Sequence, residues 1–279
     1  MSQTSATTED LRAVARWVRR EVIKAVHVAK GGHIGGPLSV TEILVALYFN
    51  VMNVDPARPD MPDRDRLVLS KGHSSIALYA VLARRGFFPP EELYTFDAID
   101  SRLQGHPDMT VTPGVDMSTG SLGQGLSTGA GMALGARMSA RPFHTFVVLG
   151  DGECQEGQVW EAAMFAAENG LSNLTAIVDV NGLPQWGLAR GPHEPVPLLR
   201  EKWQAFGWDV REVDGHDLDA LTRELTAAKA SAERPTCLLA RTVKGKGVSF
   251  MEGDFNWHSR VPTDAELSAA LRELGGEEA

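Results

Sequence analysis

Apolar positions recur at helical spacing from Thr8 to Ala29, where Val14, Trp17, Val18, Val22 and Ala25, with Glu21 among them, trace one face of a helix. The pattern stops at Lys30-Gly31-Gly32-His33-Ile34-Gly35-Gly36-Pro37, whose glycines and proline forbid its continuation. A second helix is predicted over Val40–Val51, with Ile43, Leu44, Leu47 and Tyr48 on one side. Asp55–Asp65, rich in Pro and Asp, reads as a surface loop, and the short apolar run Arg66–Ser70 as a buried strand. Helices over Ser75–Arg85 and about Pro90–Ile99 follow, then a long loop from Ser101 to Ser118. Small residues dominate Ser121–Met138 and predict a tightly packed helix. Phe143–Leu149 is a strand signal running straight into Gly150-Asp151-Gly152. A helix over about Gln155–Asn169 leads to a strand at Leu174–Val180. The chain goes on through a strand at Trp208–Val213, a helix at Asp217–Ala232 and a strand at Thr236–Val243. Strands alternating with helices imply an α/β fold, a parallel sheet flanked by helices on both faces. The expectation is a single domain over residues 1–279, with a short polar N-terminus and an acidic tail from Gly275 to Ala279.

Composition narrows the function classes. The 27 Lys+Arg against 36 Asp+Glu give a formal charge of −9, which argues against a nucleic-acid binder with its basic stripe. Cys154 and Cys237 lie far apart in no CxxC spacing, against a disulfide framework or structural zinc. The polar start from Met1 to Asp10 does not read as a secretory signal, and no apolar run is long enough to span a bilayer. A cytoplasmic protein with no membrane partner is expected.

Ligands of open α/β sheets sit beyond the carboxyl ends of the strands. Three predicted strands end in polar or glycine-rich clusters: Ser70-Lys71-Gly72-His73, Gly150-Asp151-Gly152 and Asp179-Val180-Asn181-Gly182. Asp151 offers a carboxylate and Asn181, thirty residues on, a neutral amide oxygen. Adjacent parallel strands would bring the two together as a Mg²⁺ site of the kind completed by substrate phosphates and water. The glycines allow close backbone approach, and the following helix start can donate N–H groups to a diphosphate. Gly-Asp-Gly and Asn-Gly after a strand each also read as an ordinary turn. Gly120-Ser121-Leu122-Gly123-Gln124-Gly125 lacks the strand context of a dinucleotide fingerprint, and Lys244-Gly245-Lys246-Gly247 lacks the ending of a Walker A loop. His33, His73, His106 and His258 sit beside glycine, serine or proline in predicted loops. Singly, each reads as a surface or structural histidine; together they point to a channel for a polyhydroxylated, anionic substrate.

The ordered motifs resemble transketolase. They are Ser70-Lys71-Gly72-His73-Ser74-Ser75, Gln104-Gly105-His106-Pro107, Ser118 to Ser127, Gly150-Asp151-Gly152-Glu153-Cys154-Gln155-Glu156-Gly157 and Asn181-Gly182, with Lys30 to Pro37 and Trp257-His258 at either end. The resemblance implies a thiamine-diphosphate-binding fold and a cation, Mg²⁺ or another such as Ca²⁺ or Mn²⁺, held by Asp151, Asn181 and the Leu183 carbonyl. It implies that Gly152, Asn181, His73 and His258 lie at the diphosphate, and that Gly120 and Leu122 touch the cofactor's rings. His33, His73, His106 and His258 match the family's active-site histidines, with His106 facing the donor's terminal hydroxyl, and Glu156 matches a glutamate at the contact between two cofactor domains.

The family's pyrimidine-binding domain, with its activating glutamate, is not among these motifs. The resemblance is therefore to the N-terminal subunit of a split transketolase. It would transfer a two-carbon ketol unit from a ketose, phosphorylated or not, to an aldehyde. The expected partner is a C-terminal transketolase subunit carrying that domain, in an α2β2 assembly. An alternative is a related two-subunit enzyme that passes the two-carbon unit to a lipoyl or carrier-protein thiol. Ile34, where long transketolases have proline, is closer to the short split forms; Pro184 and Trp186 after the metal loop also depart from the pattern.

Overall fold

Residues 6–183 and 196–275 are described by the computed structural model, so the 184–187 departure and the chain ends at 1–5 and 276–279 lie outside the described residues. The five strands are β1 (Arg66–Leu69), β2 (Thr145–Gly150), β3 (Leu174–Val180), β4 (Asp209–Asp214) and β5 (Thr236–Arg241). They form one all-parallel sheet in the order β1-β2-β3-β5-β4. The period-2 alternation of a strand sends Phe146 and Val148 into one apolar cluster and Val147 and Leu149 into another. The first cluster packs under α1 (Thr8–Ala29), α3 (Thr41–Ala46), α4 (Ser75–Arg85) and α8 (Leu218–Lys229). The second packs under α5 (Gln124–Met138), α6 (Gly157–Glu168) and α7 (Val196–Ala205), where Trp203 and Trp208 meet edge to face. The expected parallel sheet with helices on both faces is what the chain forms.

Helices α1 and α4 and strand β3 have the boundaries that the apolar pattern predicts. Elsewhere the structure corrects the reading. The glycine run does halt α1, at a left-handed Lys30, but a five-residue helix α2 (Gly35–Ser39) restarts inside it. The Val40–Val51 helix is α3 followed by a π-helical turn at Leu47–Val51. Pro90–Ile99 is only a 3-10 turn over Pro90–Thr95; Asp97 then takes a positive φ of 58° and Ile99 stands 97% exposed. The Asp55–Asp65 loop is not all surface. Arg64 and Asp65 are buried, because Arg64 pairs with Asp116 while Asp65 accepts from Asn53 N, His144 N and Lys229 Nζ. α7 and α9 (Asp264–Glu273) are helices that the apolar pattern does not indicate. The start of α9 is marked by Thr263 and Glu266, which form a capping box.

The small residues of α5 are there for close approach to the sheet. A Cβ on Gly129 would lie 2.3 Å from Val147 Cγ2, whereas one on Gly135 would meet nothing within 4 Å. Gly129→Ala is expected to cost about 2 kcal/mol as an overpacked core position. Gly135→Ala should instead add up to about 1 kcal/mol by restricting the unfolded chain. Urea midpoints of the two variants check this contrast; equal midpoints would contradict the packing.

Candidate active site

Four strand ends meet on one side of the sheet. The turns after β1, β2, β3 and β5 bring Lys71 and His73, Asp151, Asn181 and Leu183, and Lys244 around a cavity of about 300 Å³, with His258 on its wall. The order of the sheet places β2 beside β3, with Gly150 opposite Asp179, so Asp151 and Asn181 do come together. Asp151 Oδ2 accepts from Gly182 N at 2.6 Å and Oδ1 from Gly152 N at 2.8 Å. Asn181 Oδ1 accepts from Leu183 N at 3.2 Å, and the Leu183 carbonyl accepts from Lys244 Nζ at 3.0 Å.

Beneath this rim lies a buried ion pair. Asp179, on β3, takes hydrogen bonds from Lys71 Nζ, Ser39 Oγ and Thr242 Oγ1, tying three other segments to that strand. Burial works against its charge, but the Lys71 ammonium and the hydrogen bonds outweigh that and hold the carboxyl below its usual range. Asp151 makes no ion pair of this kind among the described residues; burial pushes its carboxyl up, outweighing the Gly182 and Gly152 N–H groups and the more distant Lys71 charge that favour its ionised form.

The histidine rings fan out from His33. Its centroid lies 5.1 Å from that of His73, 5.0 Å from His258 and 6.3 Å from His106, and His73 and His258 are 5.4 Å apart. The structure therefore gathers all four, with His106 exposed at the outer end and packed against Gly120, whose φ is 150°. Burial, with the neighbouring His106 and Lys244 charges, lowers His33 to about 4. Burial and Lys244 lower His258 to about 3, and burial and Lys71 push His73 further down. The His33, His73 and His258 imidazoles are therefore neutral at pH 7, and those of His73 and His258 line the cavity. Lys244 Nζ lies 2.9 Å from His258 Nδ1, and an ammonium can only donate, so the His258 proton sits on Nε2. That Nε2 is buried and has no hydrogen-bond partner.

Leu122, Gly152 and Glu156 also line the cavity. Glu156 is exposed at the N-cap of α6, against Gly123, where a Cβ would come within 2.8 Å of the Glu156 Cβ. Sequence reasoning passes over Lys71, Asp179, Lys244 and Glu153 as functional groups. Lys71, Asp179 and Glu153 lie inside motifs that the sequence singles out, but most of their partners come from segments distant in the chain. Lys244 reads in the sequence only as part of a failed Walker A loop.

Residues 11–279 match the family model described as "Transketolase, thiamine diphosphate binding domain". The chain belongs to the transketolase family. It is 45% identical over 267 residues to the 6-deoxy-6-sulfo-D-fructose transketolase subunit SqwG of Clostridium sp. (strain MSTE9), covering 95% of this chain and 96% of that one. It is 43% identical to an apulose-4-phosphate transketolase subunit of Phocaeicola vulgatus, covering 92% and 90%. The transketolase of Pichia stipitis, solved in complex with sedoheptulose-7-phosphate, superposes with a TM-score of 0.88 at 30% identity. That match covers 95% of this chain and 40% of the other, so the chain spans about two fifths of the long transketolase.

The transketolase-family site suits thiamine diphosphate on two structural grounds. A buried N–H at His258 has no acceptor, as a diphosphate oxygen would provide, and a buried carboxylate at Asp151 has no cation in contact. The donor set of carboxylate, amide and carbonyl oxygens suits a hard divalent ion. Among the described residues no group of three His, Cys, Asp or Glu is placed to hold a metal ion. No described helix is long and apolar enough to cross a membrane.

Proposed function

We propose that this chain is the diphosphate- and Mg²⁺-holding subunit of a split transketolase, working with a separate subunit that carries the pyrimidine-binding domain. The observation that carries the reading is the buried Asp151 carboxylate, which makes no ion pair among the described residues, and the orphaned His258 Nε2–H in one cavity. Asp151, Asn181 and the Leu183 carbonyl would hold the cation, with Ca²⁺ or Mn²⁺ as substitutes for Mg²⁺. His73, Gly152, Asn181 and His258 would hold the diphosphate, with Lys71 and Lys244 supplying positive charge, and Gly120 and Leu122 would border the rings. When bound, thiamine diphosphate supplies the carbon nucleophile for a ketose carbonyl. His33, His73, His106 and His258 orient the donor's hydroxyls and move protons at them, since an imidazole ring carries two nitrogens that can donate or accept.

The donor would be a ketose bearing an anionic group, the class that the names of two relatives state for those proteins. A fan of imidazoles suits hydroxyl groups better than a thiol acceptor. A pairing of two copies of this chain with two of its partner is proposed, with Glu156 at the contact between copies of this chain. The exposed Met138, Met164 and Phe165 on α5 and α6 support that face.

An affinity pull-down of the tagged chain from its native cell extract tests the assembly. Recovery of a chain with a pyrimidine-binding domain is expected, and the pair should transfer a ketol unit only with thiamine diphosphate and Mg²⁺. Recovery of this chain alone, or a pair inactive on every ketose tried, would overturn the reading. In the active pair, His106→Ala should lower kcat/KM for the donor by about 100-fold as a lost proton-transfer group. Thiamine diphosphate affinity should change less than about threefold, because His106 stands at the exposed end of the fan. Loss of cofactor binding instead would show that the residue is misplaced.

A further inference from the structure

Glu153 is a buried carboxylate at 3% exposure that the proposed chemistry does not use, although it lines the cofactor cavity. Its two oxygens collect three donors from three separate segments. Oε1 accepts from Ser70 Oγ, beyond β1, and from Gly123 N at 2.9 Å. Oε2 accepts from Gly150 N at 3.0 Å, at the end of β2. Among the described residues it makes no ion pair, so its role is that of an acceptor, filled entirely by protein donors.

The three donors mark the parts of the site that must keep their spacing. Gly150 precedes Asp151, the proposed cation ligand. Ser70 precedes Lys71 and the His73 turn. Gly123, with a φ of 85°, follows Leu122 on the ring side and caps α5. Packing fixes the same junction, since a Cβ on Gly125 would fall 2.4 Å from Ser70 Oγ and one on Gly123 2.8 Å from Glu156 Cβ.

We propose that Glu153 is a positioning residue: its carboxylate braces Gly150, Gly123 and Ser70 so that the cation side and the ring side of the cofactor cavity keep one separation. This rests on the thiamine diphosphate reading above. A carboxylate fits because it only accepts, and all three partners donate. A glutamine of the same shape cannot serve. Whichever way its amide turns, the NH2 faces either Gly150 N–H or Gly123 N–H, and a buried donor is left without an acceptor. Because the Glu153 side chain hydrogen-bonds to none of the three proposed cation ligands, its effect should appear as altered fit for a ligand that spans both sides.

The test is calorimetry on the full chain with its recovered partner subunit, using Mg²⁺ with thiamine diphosphate and, separately, Mg²⁺ with inorganic diphosphate. Glu153→Gln is expected to weaken thiamine diphosphate by about 30-fold, the loss that follows when the free site relaxes to satisfy the stranded donor and binding must restore the braced spacing at that cost, and inorganic diphosphate by several-fold less. Leu225→Ala, a buried core truncation on α8, serves as the control for plain destabilisation. Compared at similar loss of thermal midpoint, it should leave both affinities within about threefold. Unchanged thiamine diphosphate affinity in Glu153→Gln overturns the brace, as do equal losses for both probes or a matching loss in Leu225→Ala. A wild-type complex that binds neither probe would instead overturn the cofactor reading, and the brace with it.

Discussion

Asp151→Ala is expected to abolish Mg²⁺-dependent binding of thiamine diphosphate while leaving the fold intact. Removing an outer partner of a metal ligand typically costs 10–100-fold in affinity, so removing the single carboxylate of the proposed ligand set should cost more than about 100-fold. Stability should move the other way or not at all. Asp151 is buried with only two backbone N–H donors on its oxygens, and burial makes its charge costly. The alanine gives up those two bonds and removes that cost. Calorimetry on the assembled complex, with the thermal midpoint of the ligand-free chain, separates the effects. An unchanged affinity would refute the assignment of Asp151 to the cation. A collapse of the midpoint would mean that Asp151 is a structural turn residue, as Gly-Asp-Gly commonly is.

What the sequence reveals, and what it hides, follows from where each residue's partners lie. α1 and α4 are legible because one local stripe or run decides burial, and β3 because it is a mostly apolar run closed by Asn181-Gly182. Asp151 and Asn181 are legible as a pair because β2 and β3 are neighbours in both chain and sheet. The Lys71–Asp179–Thr242 connection is not, since β5 inserts between β3 and β4 and so reaches β3 out of chain order. Arg64 and Asp65 look like loop residues until Asp116, His144 and Lys229 arrive from far along the chain. Pro90–Ile99 has the residues of a helix start, yet the chain turns back there. Asp97 N donates to Leu103 O, and the Asp97 side chain accepts from Gly105 N, which leads into His106. In each failure the deciding interaction is tertiary, and in several it serves the site.

The buried imidazoles make the ligand-free chain sensitive to mild acid. His33 and His144 are each lowered to about 4 and His258 to about 3, in each case chiefly by burial, and burial with Lys71 lowers His73 as well. In the unfolded chain all four bind protons near pH 6.5. Between that value and the folded ones the unfolded state holds more protons, so stability is full above about pH 6.5 and falls as pH drops through the window. A fully protected histidine contributes at most about 1.4 kcal/mol per pH unit there. His144, 3% exposed, approaches this limit, while His33, His73 and His258 are half-buried and count for less. Asp151 and Glu153 are raised by burial and offset part of the loss, because the folded state takes up their protons more readily. Glu42 adds its own loss only at lower pH. Burial opposes its charge, but Arg19 and His216 overcome that and hold it at about 2, so its contribution fades as pH falls from its ordinary 4.5 towards that value. The expected net loss between pH 7 and pH 5 is about 3–5 kcal/mol, a large share of a typical domain's stability of about 5–15 kcal/mol. Urea denaturation across that range measures it, and a flat profile would contradict the burial of these rings. His144→Gln isolates one contribution, because His144 lies away from the cavity, against Phe146 and Thr175. The variant should lose about 1–2 kcal/mol less than the wild type over the same interval.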